Sequence, residues 1–322
     1  MLYHYTFGFI HPAPGPPFVA GLGVFGVEMF FIISGFVIFM TVERTRSIRD
    51  FAVARFARLY PSFLAAVVVA QGAALLSDSA PFAMRDFLAN STMVPQLFGV
   101  AALDRSYWSL LYELDFYVLA AVFCLGFGCR RPEALCTIWL LLALTARMTA
   151  SVLNLVPVVA LTAMPFANLF TIGIVLCRIH TRQARSSTWI LLALALSMTI
   201  FGPAMGFWWG ISAELISTSG YAGLILGFTG LVWFASSRHG DWLAIAPLRF
   251  LGRVSYPLYL VHQAAGFVAM TYLERAGCSP ALAIGITICL AVAAAWGISA
   301  GIEYPAQRWL RARFSAAPAP IP

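Results

Sequence analysis

The feature that most constrains this chain is a regular alternation of long apolar windows with short loops rich in arginine. Most of the windows run about 17–22 residues, and at 1.5 Å per residue they match the ~30 Å hydrocarbon core of a bilayer. A soluble chain of this size needs roughly 25% charged residues to cover its surface. Here charged residues are 10% and hydrophobic residues 61%, with a mean hydropathy of +0.85. The expected fold is all-α: a polytopic transmembrane bundle of about ten helices. The windows fall near 1–10, 24–42, 54–77, 108–127, 134–152, 163–179, 188–206, 218–236, 250–272 and 281–302.

Arginine supplies an independent test of that count. All twenty basic residues are arginines. Arg44, Arg46, Arg49, Arg55 and Arg58 follow the second window, and Arg130 and Arg131 the fourth. Arg178, Arg182 and Arg185 follow the sixth, Arg238, Arg249 and Arg253 the eighth, and Arg308, Arg311 and Arg313 the tenth. The other loops hold only Arg85, Arg105, Arg147 and Arg275. By the positive-inside rule the first set is cytoplasmic, which places both termini in the cytoplasm. A missed helix would scramble the alternation.

The net charge of +7 therefore reports topology, and no nucleic-acid partner is expected. No basic n-region or small-residue cleavage site marks a secretory signal. Cys124, Cys129, Cys136, Cys177, Cys278 and Cys289 lie in or beside apolar windows without metal-like spacing. They read as small buried hydrophobes, with no metal site and no disulfide framework. Residues 1–310 form one membrane domain, and the Pro-rich segment 311–322 is expected to be a disordered cytoplasmic tail. The longest outer loop, 78–107, carries Asp78, Arg85, Asp86, Asp104 and Arg105 and is long enough to fold over an outward-facing site.

A charged side chain at mid-membrane costs about 2.5–3.5 kcal/mol on insertion scales, so each one needs a partner or a role. His4 lies in the first window, roughly 12 Å inside the outer boundary at the helical rise. Glu113 lies roughly 7 Å inside the same boundary, a depth that lets the two meet. Arg55 and Arg58 share a face at the inner end of the third window. His262 lies roughly 10 Å from the inner face, and Glu303, at the end of the tenth window, is expected to pair with a loop arginine. Plainer roles stand beside these. Glu28 suits a helix N-terminus, Arg55 and Arg58 suit topological anchors, and His262 suits an interhelical hydrogen bond. A polar core of this kind fits a transporter and an enzyme alike.

Five blocks narrow that choice. They are the stretch from Gly23 to Phe36 containing Glu28 and Ser34; Arg55-Phe-Ala-Arg-Leu-Tyr-Pro61; and Ser106-Tyr-Trp-Ser-Leu-Leu-Tyr-Glu-Leu-Asp-Phe-Tyr117. Gly252-Arg-Val-Ser-Tyr-Pro-Leu-Tyr-Leu-Val-His262 and Ile302-Glu-Tyr-Pro305 complete the series. In this order the blocks resemble the acyltransferase-3 family of integral-membrane O-acyltransferases, including O-antigen and exopolysaccharide acetylases. The resemblance implies transfer of an acyl group, usually acetyl from acetyl-CoA, to a hydroxyl of a carbohydrate or glycolipid. It implies a bacterial inner-membrane enzyme whose partners are lipid, acyl-CoA and the acceptor, with no permanently bound cofactor.

The resemblance also assigns residues. His4 matches the catalytic histidine of the first helix. Arg55, Arg58 and Pro61 match an Arg-Phe-x-Arg block, and Trp108, Ser109 and Glu113 match a Trp-Ser-Leu-x-x-Glu block, with Tyr117 one turn on. Ser255, Tyr256, Tyr259 and His262 match a fourth block, and Glu303 the last. The chemistry agrees. A sugar hydroxyl needs a base within hydrogen-bond reach, and histidine suits that role near neutral pH. Glu113 suits orientation of the imidazole, and Arg55 and Arg58 suit the phosphates of CoA. Direct transfer is expected, because no Ser or Cys has a nucleophile's setting.

One departure concerns the first helix. The family carries an arginine ten residues upstream of its histidine, and counting back from His4 passes Met1. The first helix is thus expected to be N-terminally truncated by a start codon assigned too late. A native mass above 35.0 kDa tests that expectation. The competing classes are a transporter or flippase of a lipid-linked glycan or small anion, and an inactive relative. Transport predicts broken helices at mirrored positions, and no such pair is legible.

Overall fold

The structure is a computed structural model and describes residues 1–7, 21–45, 47–77, 82–126, 128, 131–153, 164–201 and 216–314. Among them are thirteen α-helices and no strand. Five helical stretches are long and apolar enough to cross a membrane: Leu22–Arg44, Ile48–Leu76, Arg105–Gly126, Thr218–Ser236 and Pro280–Phe314. Three shorter apolar stretches accompany them, Pro132–Ala146, Ala167–His180 and Ser186–Thr199. The chain is a multi-pass membrane protein. It divides into two units, one of residues 1–20, 49–111 and 245–322, the other of 21–48 and 112–244.

The first unit holds α1 (Leu2–Phe7), α3 (Ile48–Leu76), α4 (Met84–Asn90) and the first turn of α5 (Trp108–Ala120). It also holds α10 (Ala246–Val261), α11 (Ala264–Arg275), α12 (Pro280–Ile298) and α13 (Tyr304–Phe314). Helix α3 starts at Ile48, six residues before the apolar window does. No Gly or Pro interrupts residues 48–60, and arginine is a good helix former, so the basic stretch continues the helix. The ninth window is two helices, α10 and α11, parted at His262 and Gln263. A π-helical stretch, Ser299–Glu303, joins α12 to α13. Helix α13 enters the segment expected as a disordered tail by four residues, while residues 315–322 lie outside the described set.

A buried asparagine ties together the long loop before α5. Asn90 at the end of α4 is fully buried and uses both ends of its amide. Its Nδ2 donates to the carbonyls of Asp86 (2.9 Å) and Ala101 (3.0 Å), and its Oδ1 accepts from Leu103 N–H at 2.9 Å. A buried backbone group without a partner costs free energy. Asn90 supplies partners that irregular backbone cannot supply to itself, and it delivers Asp104 to the end of the loop.

The second unit holds α2 (Gly26–Arg44), the remainder of α5, α6 (Pro132–Leu153), α7 (Ala167–His180), α8 (Ser186–Phe201) and α9 (Thr218–Ser236). Helix α7 is its axis. It packs on α2, α6, α8 and α9, and all its residues from Ala167 to Arg178 are buried. Phe170 stacks on Phe116 at 4.2 Å, while Phe31 lies 4.4 Å from Phe166 and 4.9 Å from Phe170. Without a hydrophobic drive between helices in lipid, close backbone approach through small residues holds such pairs. Gly35 and Gly173 provide it between α2 and α7. A Cβ on Gly173 would overlap the Ile32 carbonyl and stand 2.6 Å from Phe36 N and 2.9 Å from Gly35 C.

These neighbours are backbone and cannot rotate away. Gly173→Ala is therefore expected to cost about 1–3 kcal/mol by overpacking, read as a lowered unfolding midpoint in detergent. A variant melting with the parent would show that the two helices slide apart freely.

In the last turn of α7 Arg178 closes an ionic knot. Its guanidinium lies 3.4 Å from Glu43 of α2 and 3.3 Å from Glu133 of α6, and Thr188 of α8 donates to Glu133 at 3.0 Å. The arginine that marks topology in the sequence also ties four helices together. Three cysteines depart from the buried setting expected of them. Cys289 is exposed on α12, and Cys124 and Cys278 are half-exposed. A thiol is apolar enough to face lipid chains. Cys136 and Cys177 are buried as expected, and Cys129 lies outside the described residues.

Candidate active site

The site in the first unit is built around the parting of α10 from α11. Pro257 removes one N–H from the ladder of α10, and the helix ends four residues later at Val261. The first N–H of α11, on Ala264, donates to Asp104 Oδ2 at 2.8 Å. Asp104 thus caps a helix 160 residues away. Its Oδ1 meanwhile accepts from the backbone N–H and the hydroxyl of Ser106, both at 2.7 Å. Burial pushes the Asp104 carboxyl up, and the hydrogen bonds from Ser106 and Ala264 oppose the rise.

The hydrogen-bond directions follow from the donors available. Tyr259 donates its phenol proton to the Ser106 carbonyl. The Ser109 hydroxyl, 2.6 Å from the Tyr259 oxygen, must then be the donor of that pair. Its proton is committed to a tyrosine oxygen and not to a base, so Ser109 has no nucleophile's setting. The Tyr259 carbonyl receives Nδ1 of His262 at 2.8 Å, and Tyr107 and Phe63 pack nearby with ring centroids 5.1 Å apart.

Helix α1 docks on this assembly. Tyr5 is buried and donates its phenol proton to the His262 carbonyl at 2.6 Å. The contact requires Gly266, one turn into α11. A Cβ there would overlap the Tyr5 hydroxyl and press its ring carbons at 2.8 Å. With Tyr5 seated, the half-buried ring of His4 stands edge-on to His262, centroids 5.1 Å apart and planes at 64°. The structure therefore brings together His4, His262, Tyr259 and Ser109. Three members carry no signal in the family-like blocks: Tyr5, Gly266 and Asp104. Asp104 has the form of an N-cap before Arg105–Tyr107, but its reach to α11 depends on the folded loop.

A second cluster in the same unit joins α3 to the π-helical stretch after α12. Arg58 pairs with Glu303, which is fully buried and also accepts from Ser62 Oγ and Gln307 Nε2, each at 3.0 Å. The partner of Glu303 is thus a helical arginine and not the loop arginine expected. The π-helical stretch that ends at Glu303 sets its carboxylate toward α3, a device frequent at functional sites. Tyr256 donates to the Leu59 carbonyl at 3.2 Å and lies 5.8 Å under the Arg58 guanidinium. Arg55 is half-buried, its guanidinium 5.8 Å from the Phe51 ring.

With this geometry in place, the comparisons decide the family. A family model described as an acyltransferase domain matches residues 1–300. The chain belongs to the acyltransferase-3 family. No curated protein and no solved structure matches it. The protein is accordingly a membrane acyltransferase.

The remaining expected residues of this acyltransferase fall in several settings. Glu113, in the second unit, accepts from the phenol of Tyr117 one turn along α5; both are buried. Glu28 and Ser34 are buried on α2, and Glu28 Oε2 and Ser34 Oγ have no hydrogen-bond partner among the described residues. Trp108 is half-buried at the start of α5. Ser255 is exposed, its hydroxyl bonded back to the Gly252 carbonyl at 2.9 Å.

Proposed function

We propose that this acyltransferase moves an acetyl group from cytoplasmic acetyl-CoA to a hydroxyl of an envelope or exported carbohydrate. The observation that carries the reading is the His4 imidazole, half-buried against a hydrogen-bonded His262. A hydroxyl attacking a thioester needs a base within hydrogen-bond reach, and such a base is worth about 10²–10⁴ in rate. His4 is that base in this reading, and transfer is direct. Arg55 and Arg58 are the groups for the CoA phosphates. Glu303 holds the Arg58 fork in one orientation, which lowers the cost of ordering it. The protein then resides in a bacterial inner membrane with both termini in the cytoplasm.

The contrasting reading is transport of an anionic glycan or small anion. Transporters present the N-terminus of a half-helix to anionic cargo. In this chain Asp104 already takes the first N–H of α11 and places a carboxyl where an anion would bind. That arrangement speaks for chemistry at the break and against cargo.

Mass spectrometry of envelope and secreted glycans from a deletion strain tests the function. The expected result is loss of one acetyl mass from a defined sugar, restored by the parent gene. An unchanged profile would turn the assignment toward transport.

A further inference from the structure

The arrangement at the parted helix carries an inference about how His4 is held, and it rests on the reading of His4 as the base. A carbonyl oxygen can only accept, so the 2.8 Å contact between His262 Nδ1 and the Tyr259 carbonyl puts the proton of a neutral His262 on Nδ1. Its Nε2 is then bare and is an acceptor. His262 is 3% exposed, so its ring meets protein and not substrate. The ring beside it is the half-buried His4, in edge contact with centroids 5.1 Å apart, and its neutral form has one N–H to give. The His262 backbone is pinned as well. Its carbonyl holds the Tyr5 phenol at 2.6 Å, and the next turn begins on Asp104.

We propose that His262 is a positioning residue for His4, its bare Nε2 accepting the His4 N–H and so leaving the other His4 nitrogen free to take the acceptor's proton. The arrangement parallels a nucleophile's base oriented by a third group, with a neutral imidazole in place of a carboxylate. A neutral partner suits a site within the membrane, where a buried ionised group is costly unless paired. Two imidazolium rings side by side would repel, so the pair carries a single added proton, and it resides on His4.

The step balances within the groups named. The acceptor oxygen bonds to the acyl carbon as its proton passes to the free nitrogen of His4. The carbon–sulfur bond breaks, and the sulfur of CoA leaves with the electron pair. That sulfur then takes the proton from the His4 imidazolium, giving the ester, the free thiol of CoA and neutral His4. Throughout, His262 only accepts the hydrogen bond that keeps His4 in one tautomer and one orientation.

The test uses the full chain in lipid nanodiscs, with acetyl-CoA as donor and envelope glycan from a deletion strain as acceptor, followed by release of the CoA thiol. His262→Leu, which cannot accept, is expected to lower kcat by about 10²-fold, within the range for loss of an oriented base, with KM for acetyl-CoA unchanged. His262→Gln, whose amide oxygen can accept, is expected to recover at least a tenth of the parent kcat. Equal losses in the two variants, a loss expressed in KM, or parent-like kcat in His262→Leu would each overturn the proposal. No turnover by the parent chain would overturn the acyl-transfer reading itself, and the proposal with it. A readout independent of turnover is nitrogen NMR of histidine-labelled protein, with the His262 signals assigned by their loss in His262→Gln. The Nδ1–H form of His262 is expected, with Nε2 shifting on His4→Ala. An Nε2–H form, or an Nε2 signal indifferent to His4→Ala, would overturn it.

Discussion

Replacing Arg58 by Met is expected to destabilise the protein by about 3–5 kcal/mol, the cost of stranding one partner of a buried ion pair. Glu303 is fully buried. Without Arg58 its carboxylate keeps two neutral donors among the described residues, Ser62 and Gln307. The cost arises from uncompensated charge, so removing the charge should recover most of it. Arg58→Met combined with Glu303→Gln is therefore expected to melt close to the parent, although the single Arg58 variant melts well below it. Unfolding midpoints in one detergent, across the four members of this cycle, make the measurement. If Arg58→Met alone melts with the parent, the pair contributes only to function, and the fold of the first unit does not depend on it.

His4→Ala carries the largest expected effect on activity, a fall in kcat of about 10²–10⁴-fold. The fold should tolerate the change. His4 is half-buried on a six-residue helix, whereas the contact that seats that helix belongs to Tyr5. Size-exclusion profile and unfolding midpoint should therefore match the parent while thiol release from acetyl-CoA collapses. Parent-like turnover in His4→Ala would remove the histidine from the chemistry. Suspicion would then move to the carboxylates of the second unit, Glu113 first.

Much of the fold is legible because lipid imposes one dominant rule. A 19-residue helix at Thr218–Ser236 coincides with its apolar window, and its start is marked in the sequence by the N-cap Ser217, whose hydroxyl accepts from Gly220 N–H at 3.1 Å. Legibility fails where polar groups satisfy each other over long sequence distances. The parting of α10 from α11 lies inside an apolar window and is fixed by Asp104, which belongs to a loop 160 residues earlier. No local pattern encodes that partner. The pairing of Arg58 with Glu303 joins α3 to the end of the last long helix, and both residues stand in recognisable blocks without any indication that they meet. His4 and His262 are the converse case. Each is visible as a polar residue in an apolar setting, and only the seating of Tyr5 beside Gly266 brings their rings together.

The hydrogen bond from Tyr5 to His262 spans 257 residues, and that span has a consequence in time. At the usual 5–20 residues per second of synthesis, roughly 13–50 s separate the emergence of the two partners. Throughout that interval Tyr5 is without the carbonyl that accepts its proton. The seating of α1 therefore waits for α10 and α11. Helix α1 is thus put in place long after it is made, and a ribosome that stalls before residue 262 leaves the Tyr5 phenol without the carbonyl that receives it.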